Sequence, residues 1–176
     1  MFESIDSRKK KKKVIENAAR FFGFENRLNE LRLRGNEVFM ISSDLCKILD
    51  QIRAKVPEER LHAGIKVGEA GKRFRFTLEG SFFLAKKEKK RVYVDSKAEM
   101  LFLYGRDIFS SSVKKASGDV RENDVVFVCN EFGDIIGIGR ARFDAEEIGK
   151  KGERVAIENL TDRGEYLRKE KLYNAF

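Results

Sequence analysis

The sequence motifs that carry out catalysis are absent from this chain, and the residues that could do chemistry indicate a binding function instead. His62 is the only histidine and no Cys-x-x-C motif occurs, so zinc has no ligand set. A Ser-His-Asp triad built on His62 lacks a supporting motif. The segment Gly137-Ile138-Gly139 lacks the third glycine of a dinucleotide-binding loop, and no Walker motif is present. We therefore expect no catalytic residue, no metal and no cofactor. A cofactor-free enzyme that uses two carboxylates is the catalytic alternative left open.

Positive charge is the abundant chemical feature, and it is unevenly distributed. The 176 residues contain 37 Lys and Arg against 29 Asp and Glu, a net charge of +8. Residues 1–91 hold 23 of the basic and 13 of the acidic residues, whereas residues 92–176 hold 14 and 16. A positive protein attracts anionic partners such as nucleic acid. In residues 92–176, such a contact must come from a local patch, because the bulk charge is negative.

The sequence also predicts the compartment. It has no run of about 18 apolar residues that would span a membrane. The lysine-rich start is not followed by an apolar segment, so it does not resemble a signal peptide. Cys46 and Cys129 are single and lie among apolar residues, which is typical of a reducing cytosol. We expect a cytoplasmic protein.

Residues 1–91 show the alternating helix and strand patterns of a small α/β domain. The expected elements are a helix capped by Ser7 and stopped by Gly23, a hairpin turning at Gly35-Asn36, a helix from Ser43 that ends before Pro57, strands over 65–69 and 73–78, and a helical turn over 80–85. The first helix opens with the basic run 8–13, although positive charge there opposes the helix dipole. This run is either an arm that binds phosphate or a solvated face. A second basic run, over 86–91, marks the domain joint.

Residues 92–176 carry short strands separated by turn residues, which is typical of a small β-barrel. The expected elements are a strand over 92–94, a helix that opens on a Ser96–Glu99 capping box and stops at Gly105, and strands over 125–129, 135–141 and 155–157. Gly137 and Gly139 lie on one face of their strand. There they allow a close backbone approach, more often for packing than for a ligand.

Three segments of this half, 105–109, 118–126 and 137–141, resemble the PUA domain, a pseudo-barrel that binds RNA. The helix ending Phe102-Leu103-Tyr104-Gly105 and the late segment 162–168 resemble the Nip-seven family of large-subunit ribosome-biogenesis factors. The resemblance implies an α+β fold. A pre-PUA α/β domain with an antiparallel sheet would occupy residues 1–91, and a PUA-type pseudo β-barrel would occupy residues 92–176.

The resemblance also implies where RNA binds. In PUA domains the RNA face is formed by the glycine-containing loop after the first helix and by the late strand with the segment that follows it. Carried over residue by residue, the RNA-binding residues are Arg106, Lys114, Lys115, Lys151, Arg154, Arg163, Arg168 and Lys169. Tyr104 and Tyr166 either stack on a base or pack into the barrel, and packing is the commoner role of such aromatics.

The function implied by the resemblance is a non-catalytic RNA-binding factor in large ribosomal subunit biogenesis, with a ribosomal RNA precursor as its partner. Two alternatives stay open. One is a protein-interaction adaptor for the exosome or other ribosome-assembly proteins, which the negative charge of residues 92–176 favours. The other is an RNA-binding accessory subunit of an RNA-modifying enzyme.

Overall fold

The structure is a computed structural model that describes residues 2–52, 63–85 and 88–169. The chain divides into two compact units, which span residues 1–86 and 87–176. The fold is α+β, as the sequence predicts. The first unit has an antiparallel sheet, and the second has a nearly closed, barrel-like sheet. In the described ranges, no helix is long and apolar enough to cross a membrane.

The first unit is built on a five-stranded sheet in the order β1-β2-β3-β4-β5. Its strands are β1 (Glu3–Ser4), β2 (Leu31–Arg34), β3 (Glu37–Met40), β4 (Ile65–Ala70) and β5 (Phe74–Phe76), and its helices are α1 (Lys9–Phe22), α2 (Ser43–Ile52) and α3 (Leu78–Leu84). The predicted hairpin is confirmed, because β2 pairs with β3 around the Gly35-Asn36 turn. The predicted end of α2 before Pro57 lies outside the described residues. The strand expected over 73–78 is shorter, since the Thr77 hydroxyl accepts a hydrogen bond from the Gly80 N–H at 3.0 Å and caps α3.

The start of the first helix differs from the prediction. Ser7 does not cap α1. It closes a short 3-10 turn instead, where its hydroxyl donates to the Ser4 carbonyl at 2.7 Å. The predicted stop is confirmed, because Gly23 has φ +82° and its N–H donates to the Ala19 carbonyl. Residues before α1 are packed structure, since β1 pairs with β2 and Ile5 is buried. The run 8–13 therefore starts a helix that follows packed structure, and whether it binds phosphate or is only a solvated face stays a prediction.

The second unit is a six-stranded sheet in the order β7-β11-β10-β9-β6-β8. Its strands are β6 (Arg91–Val94), β7 (Ile108–Phe109), β8 (Val113–Ala116), β9 (Val125–Cys129), β10 (Ile135–Ala141) and β11 (Val155–Asp162), and its helices are α4 (Ser96–Leu103) and α5 (Gly164–Lys169). The two strands at the ends of this order, β7 and β8, follow each other in the chain, so the sheet almost closes. Phe102 of α4 is fully buried in the core.

Two local features of this unit follow from side-chain chemistry. The residue that caps α4 is Asp95 and not Ser96, because the Asp95 carboxylate accepts a hydrogen bond from the Ala98 N–H at 2.8 Å. The packing role of the two β10 glycines is confirmed. A Cβ at Gly137 would lie 2.5 Å from the Thr161 carbonyl oxygen, and one at Gly139 would lie 2.3 Å from a side-chain carbon of Ile157. Any side chain at either position would push β10 and β11 apart.

The described end of the second basic run is not a surface patch. Lys90 is buried, and its ammonium lies 2.7 Å from an Asp124 carboxylate oxygen. Arg91 is also buried and donates to the Cys129 sulfur at 3.5 Å. Both cations stabilise the barrel from inside, so neither is available to an external phosphate.

The two cysteines are expected to differ sharply in reactivity. Burial raises the pKa of the Cys129 thiol to about 11, so at pH 8 only about one thiol in a thousand is ionised. Cys46 is only half-buried on α2. We expect iodoacetamide to modify Cys46 in the native protein and to reach Cys129 only after unfolding in denaturant, as followed by mass spectrometry. Equal rates at the two thiols in the native protein would contradict this assignment.

Candidate nucleic-acid interface

The structure separates the predicted RNA-binding residues into two groups near the two ends of β11. Arg154, Lys151, Lys114 and Lys115 belong to the end where β11 begins, and Arg168 and Lys169 follow the end where it finishes. β11 runs from Val155 to Asp162, a distance of about 23 Å for an extended strand. The predicted surface therefore extends along one strand, with a basic loop at one end and a cleft at the other. We call this surface the edge of β11, although the strand itself lies between β7 and β10 in the sheet.

The basic loop is residues 149–154, and it is held against the 3-10 turn Ser110–Ser112. The Ser110 N–H donates to the Arg154 carbonyl at 2.8 Å, and the Ser111 N–H donates to the Gly152 carbonyl at 3.0 Å. The buried Ser110 hydroxyl donates to the Ile148 carbonyl and accepts from the Lys151 N–H, at 2.6 and 2.8 Å. Ser110 and Ser111 thus hold the basic loop in place, and the Ser110 hydroxyl is not available to an external ligand.

The cations of the basic loop are presented around one aromatic ring. The Lys151 ammonium and the Arg154 guanidinium lie 5.7 and 5.6 Å from the centroid of the Phe143 ring. Lys151 also pairs with Glu147 at 3.1 Å, whereas Lys150 is exposed. Lys114 and Lys115 are exposed on β8, whose first carbonyl lies beside Gly149. The loop and β8 together form a local basic patch within residues 92–176, a segment whose net charge is negative.

Two further arginines of this edge were missed in the sequence. Arg140 and Arg142 lie next to Glu158 of β11, with nitrogen–oxygen distances of 3.6 and 2.8 Å. In the sequence Glu158 makes the middle of β11 look acidic, but two arginines and one glutamate leave one net positive charge at this point. Cross-strand pairing, which the sequence did not specify, is the signal that finds these arginines.

At the other end of β11, a cleft of about 380 Å³ opens between the strand, α5 and the loop after α4. Its lining residues are Gly105, Asn159, Leu160, Thr161, Asp162, Glu165, Arg168 and Lys169. Arg106, the residue after Gly105, is exposed beside it. Its carbonyl accepts a hydrogen bond from the Asn159 amide at 3.5 Å, which ties this loop to β11. The cleft therefore contains the glycine loop and the late strand that the PUA resemblance brings together.

Arg168 has a structural role in this cleft. Its guanidinium forms two parallel hydrogen bonds to the Asp162 carboxylate, at 3.0 and 2.9 Å, and also donates to the Leu103 carbonyl. The Asp162 side chain is 2% exposed, so Arg168 is the partner that makes burial of this carboxylate tolerable. The hydrogen bond that Arg168 donates to Asp162 raises the pKa of Arg168 above its usual value. These contacts attach α5 to the barrel.

The remaining predicted residues of this region differ in availability. Lys169 is exposed and pairs with Glu165, and this hydrogen bond is the main cause of the lowered pKa of the Glu165 carboxyl. Arg163 does not line the cleft. Its Nε donates to the Ile135 carbonyl at 2.7 Å, on the side of the neighbouring strand β10. Three late cations were predicted from the sequence. Arg163 does not line the cleft, and Arg168 is paired with the buried Asp162. Lys169 is exposed on the cleft, and its partner Glu165 is not buried.

Two tyrosines lie in solvent in this region. Tyr104, at the end of α4 next to Gly105, is 68% exposed, and Tyr166 of α5 is 52% exposed. The expectation that they pack into the barrel is therefore wrong. Exposed aromatic rings beside a cleft are suitable for stacking on bases.

The described residues contain no group of three or more His, Cys, Asp or Glu side chains that could hold a metal. His62, on which a Ser-His-Asp triad would depend, lies outside the described residues. The arrangement at the edge of β11 provides cations, backbone groups and aromatic rings, all of which serve binding.

The fold and this edge define a two-unit PUA-domain protein, with an α/β unit ahead of the barrel. The model of the NIP7/UPF0113 pre-PUA domain matches residues 6–79, and that of the UPF0113 PUA domain matches residues 90–171. The chain is 43% identical over 173 residues to a UPF0113 protein of Archaeoglobus fulgidus, with 95% of each chain covered. The chain belongs to the NIP7/UPF0113 family.

More distant relatives agree with this assignment. The chain is 27% identical over 143 residues to the 60S ribosome subunit biogenesis protein NIP7 of Saccharomyces cerevisiae, covering 79% of this chain and 77% of the yeast protein. A conserved PUA domain protein from Thermoplasma acidophilum aligns with a TM-score of 0.59 at 20% identity, over 94% of this chain and 95% of that one. A hypothetical protein from Pyrococcus horikoshii aligns with a TM-score of 0.62 at 17% identity, over 92% and 93%. The two structures support the fold alone.

Proposed function

We propose that this protein is a non-catalytic RNA-binding factor that acts in the cytoplasm during assembly of the large ribosomal subunit. The observation that carries the proposal is the edge of β11, where the basic loop precedes the strand and a cleft opens at its other end, with the exposed Tyr104 and Tyr166 on the segments next to the cleft. The yeast relative, which is named for 60S subunit biogenesis, supports the process. A ribosomal RNA precursor is the proposed ligand.

In the proposed mechanism, the two ends of β11 bind different parts of the RNA. The cations of the basic loop bind phosphates by releasing counterions, which gives affinity without reading sequence. The cleft receives unstacked bases of a single-stranded or irregular segment, with Tyr104 and Tyr166 as stacking surfaces. Holding an RNA segment in this way keeps it from pairing elsewhere until processing or folding is complete. The pre-PUA domain, proposed as residues 1–91, would dock protein partners or add basic contacts, and the PUA domain would be residues 92–176.

Salt dependence tests this proposal. A patch that makes about four phosphate contacts should give a slope of about −2.8 in a plot of log affinity against log salt, or roughly 50-fold weaker binding to single-stranded RNA between 50 and 200 mM salt. Fluorescence anisotropy with labelled single-stranded RNAs of different sequence would measure the slope and the sequence preference. Binding that is absent or insensitive to salt would contradict the proposal and favour a protein-interaction adaptor, which the net acidic charge of residues 92–176 already makes the second candidate.

The start of α1 is expected to contribute a smaller share. Lys9, Lys10 and Lys13 are exposed, whereas Lys12 pairs with Asp6 at 2.8 Å. Replacing the three exposed lysines with glutamine should weaken RNA binding by roughly 2- to 5-fold and leave the melting temperature unchanged, since cations at a helix N-terminus do not stabilise it. Anisotropy and thermal melting measure both effects. Unchanged RNA affinity would identify the run as a solvated face.

A further inference from the structure

Phe132 is the most exposed large apolar side chain of the described residues, at 89%. It lies at the tip of the turn 130–134, which joins β9 to β10. A single apolar side chain on a surface needs no explanation by itself. This turn, however, is built to hold the backbone at Phe132 in place, and the charged side chains around it are mostly acidic.

Two buried polar side chains, Asn130 and Arg91, support the turn from below. Asn130 Oδ1 accepts hydrogen bonds from the N–H groups of Phe132 and Asp134, at 3.1 and 2.9 Å. Arg91 donates to the Gly133 carbonyl at 3.1 Å, and Gly133 has φ +89°. The backbone is therefore fixed on both sides of the ring. Because the backbone of the turn is already ordered, little backbone freedom is lost when Phe132 binds, which raises affinity.

The acidic groups around Phe132 disfavour phosphate. Glu131 and Asp134, within the turn, are both exposed. Glu99 of α4 accepts a hydrogen bond from the Asn130 amide at 3.2 Å, so a third carboxylate lies at the base of the turn. Like charges across an interface suppress binding, whereas opposite charges steer partners together.

The cations near the turn do not reverse this field. Arg91 is buried beneath the turn, and Arg163 approaches the start of β10 through its bond to the Ile135 carbonyl. The arginines of the basic edge are distant, because Arg140 is five residues further along β10, about 17 Å for a strand. The tip is thus acidic and apolar. It is distant from the basic loop, although it lies near the end of β11 where the cleft opens, because the Arg163 N–H donates to the Ile136 carbonyl.

We propose that the turn 130–134 docks a protein partner whose surface has an apolar pocket rimmed by lysine and arginine, with Phe132 as the anchor. Aromatic anchors that fill pockets supply much of the binding energy of protein interfaces. The complementary charge argues for a basic protein segment as occupant. This proposal is independent of the RNA-binding function, because the turn and the basic edge share no residue.

A phage-displayed random peptide library, selected on the full-length protein, tests the proposal. We expect enrichment of peptides that combine apolar residues with a net positive charge. A synthetic peptide of the enriched sequence should bind Phe132→Ser roughly 30-fold more weakly than the wild type, and Phe132→Leu should recover part of the affinity. Glu131→Lys should also weaken binding of this peptide. Melting temperatures of all variants should match the wild type, since the ring packs on nothing.

Four results would overturn the proposal. The first is that Phe132→Ser binds the peptides as well as the wild type does. The second is that the enriched peptides carry no positive charge. The third is that Phe132→Ser loses RNA affinity, which would make the turn an RNA contact. The fourth is a concentration-dependent dimer in sedimentation equilibrium that Phe132→Ser abolishes, because the occupant would then be a second copy of this chain.

Discussion

Replacing Arg168 with alanine is expected to lower the melting temperature by roughly 5–10 °C, because it leaves a buried carboxylate without its partner. The Asp162 side chain is 2% exposed and loses two hydrogen bonds of 3.0 and 2.9 Å. The Asn159 amide, 3.2 Å from the same carboxylate, is a neutral donor and does not replace the lost charge. Thermal melting followed by circular dichroism measures the shift.

Two variants serve as controls for this experiment. Lys169→Ala removes the same charge one residue away, where the side chain is 74% exposed, and should leave the melting temperature nearly unchanged. Arg168→Lys keeps the charge but not the paired geometry of the guanidinium, so an intermediate loss is expected. If Arg168→Ala melts like the wild type, α5 is not attached to the barrel through Asp162. RNA-binding data on Arg168 variants are interpretable only beside these measurements.

Neutralising the basic loop is expected to have the largest effect on RNA binding. Replacement of Lys114, Lys150, Lys151 and Arg154 with glutamine removes about four phosphate contacts. The slope of log affinity against log salt should then flatten by about 2.8, and affinity near physiological salt should fall roughly 100-fold. The fold should survive, since Lys114, Lys150 and Arg154 are exposed and Lys151 is half-buried with a partner, Glu147, that is itself exposed. Anisotropy titrations at several salt concentrations measure slope and affinity together.

A matched control removes the same number of charges from the first unit. Arg20, Lys47, Lys72 and Arg75 are exposed there and lie outside the proposed edge. Replacing these four residues with glutamine should weaken RNA binding much less than the basic-loop variant does. The difference between the two losses of affinity should be about tenfold or more. A larger loss in the control variant, with both proteins folded, would move the principal RNA-binding surface to the first unit.

The sequence predicted those parts of the fold whose signals are local. The hairpin at Gly35-Asn36 and the helix stop at Gly23 each depend on a few neighbouring residues, and both are confirmed. The residues that cap the helices were predicted less accurately. Several polar residues precede each helix, and the sequence does not say which one has the required backbone angles. The strands β7 and β8 were missed because β7 has only two residues and β8 carries two exposed lysines.

For the candidate site, the sequence indicated which side chains are basic but not which of them have partners. Arg168 looks as available as Lys169 in the sequence, yet its role depends on Asp162 being buried under α5. Arg140 was overlooked because its pairing with Glu158 depends on the register between β10 and β11, which the sequence does not specify. The residue-level assignment of RNA contacts remains a prediction for the experiments above.

Lys90 offers an internal standard for chemical footprinting. Its side chain is 7% exposed and pairs with Asp124, so an acylating reagent should not label it while the barrel is folded. Lys150 and Lys169 are exposed, and their labelling should fall when a ligand covers them. The signal at Lys90 should stay at zero in both states, and its appearance would report unfolding of the sample. One mass-spectrometry experiment can therefore separate protection by a ligand from loss of the fold.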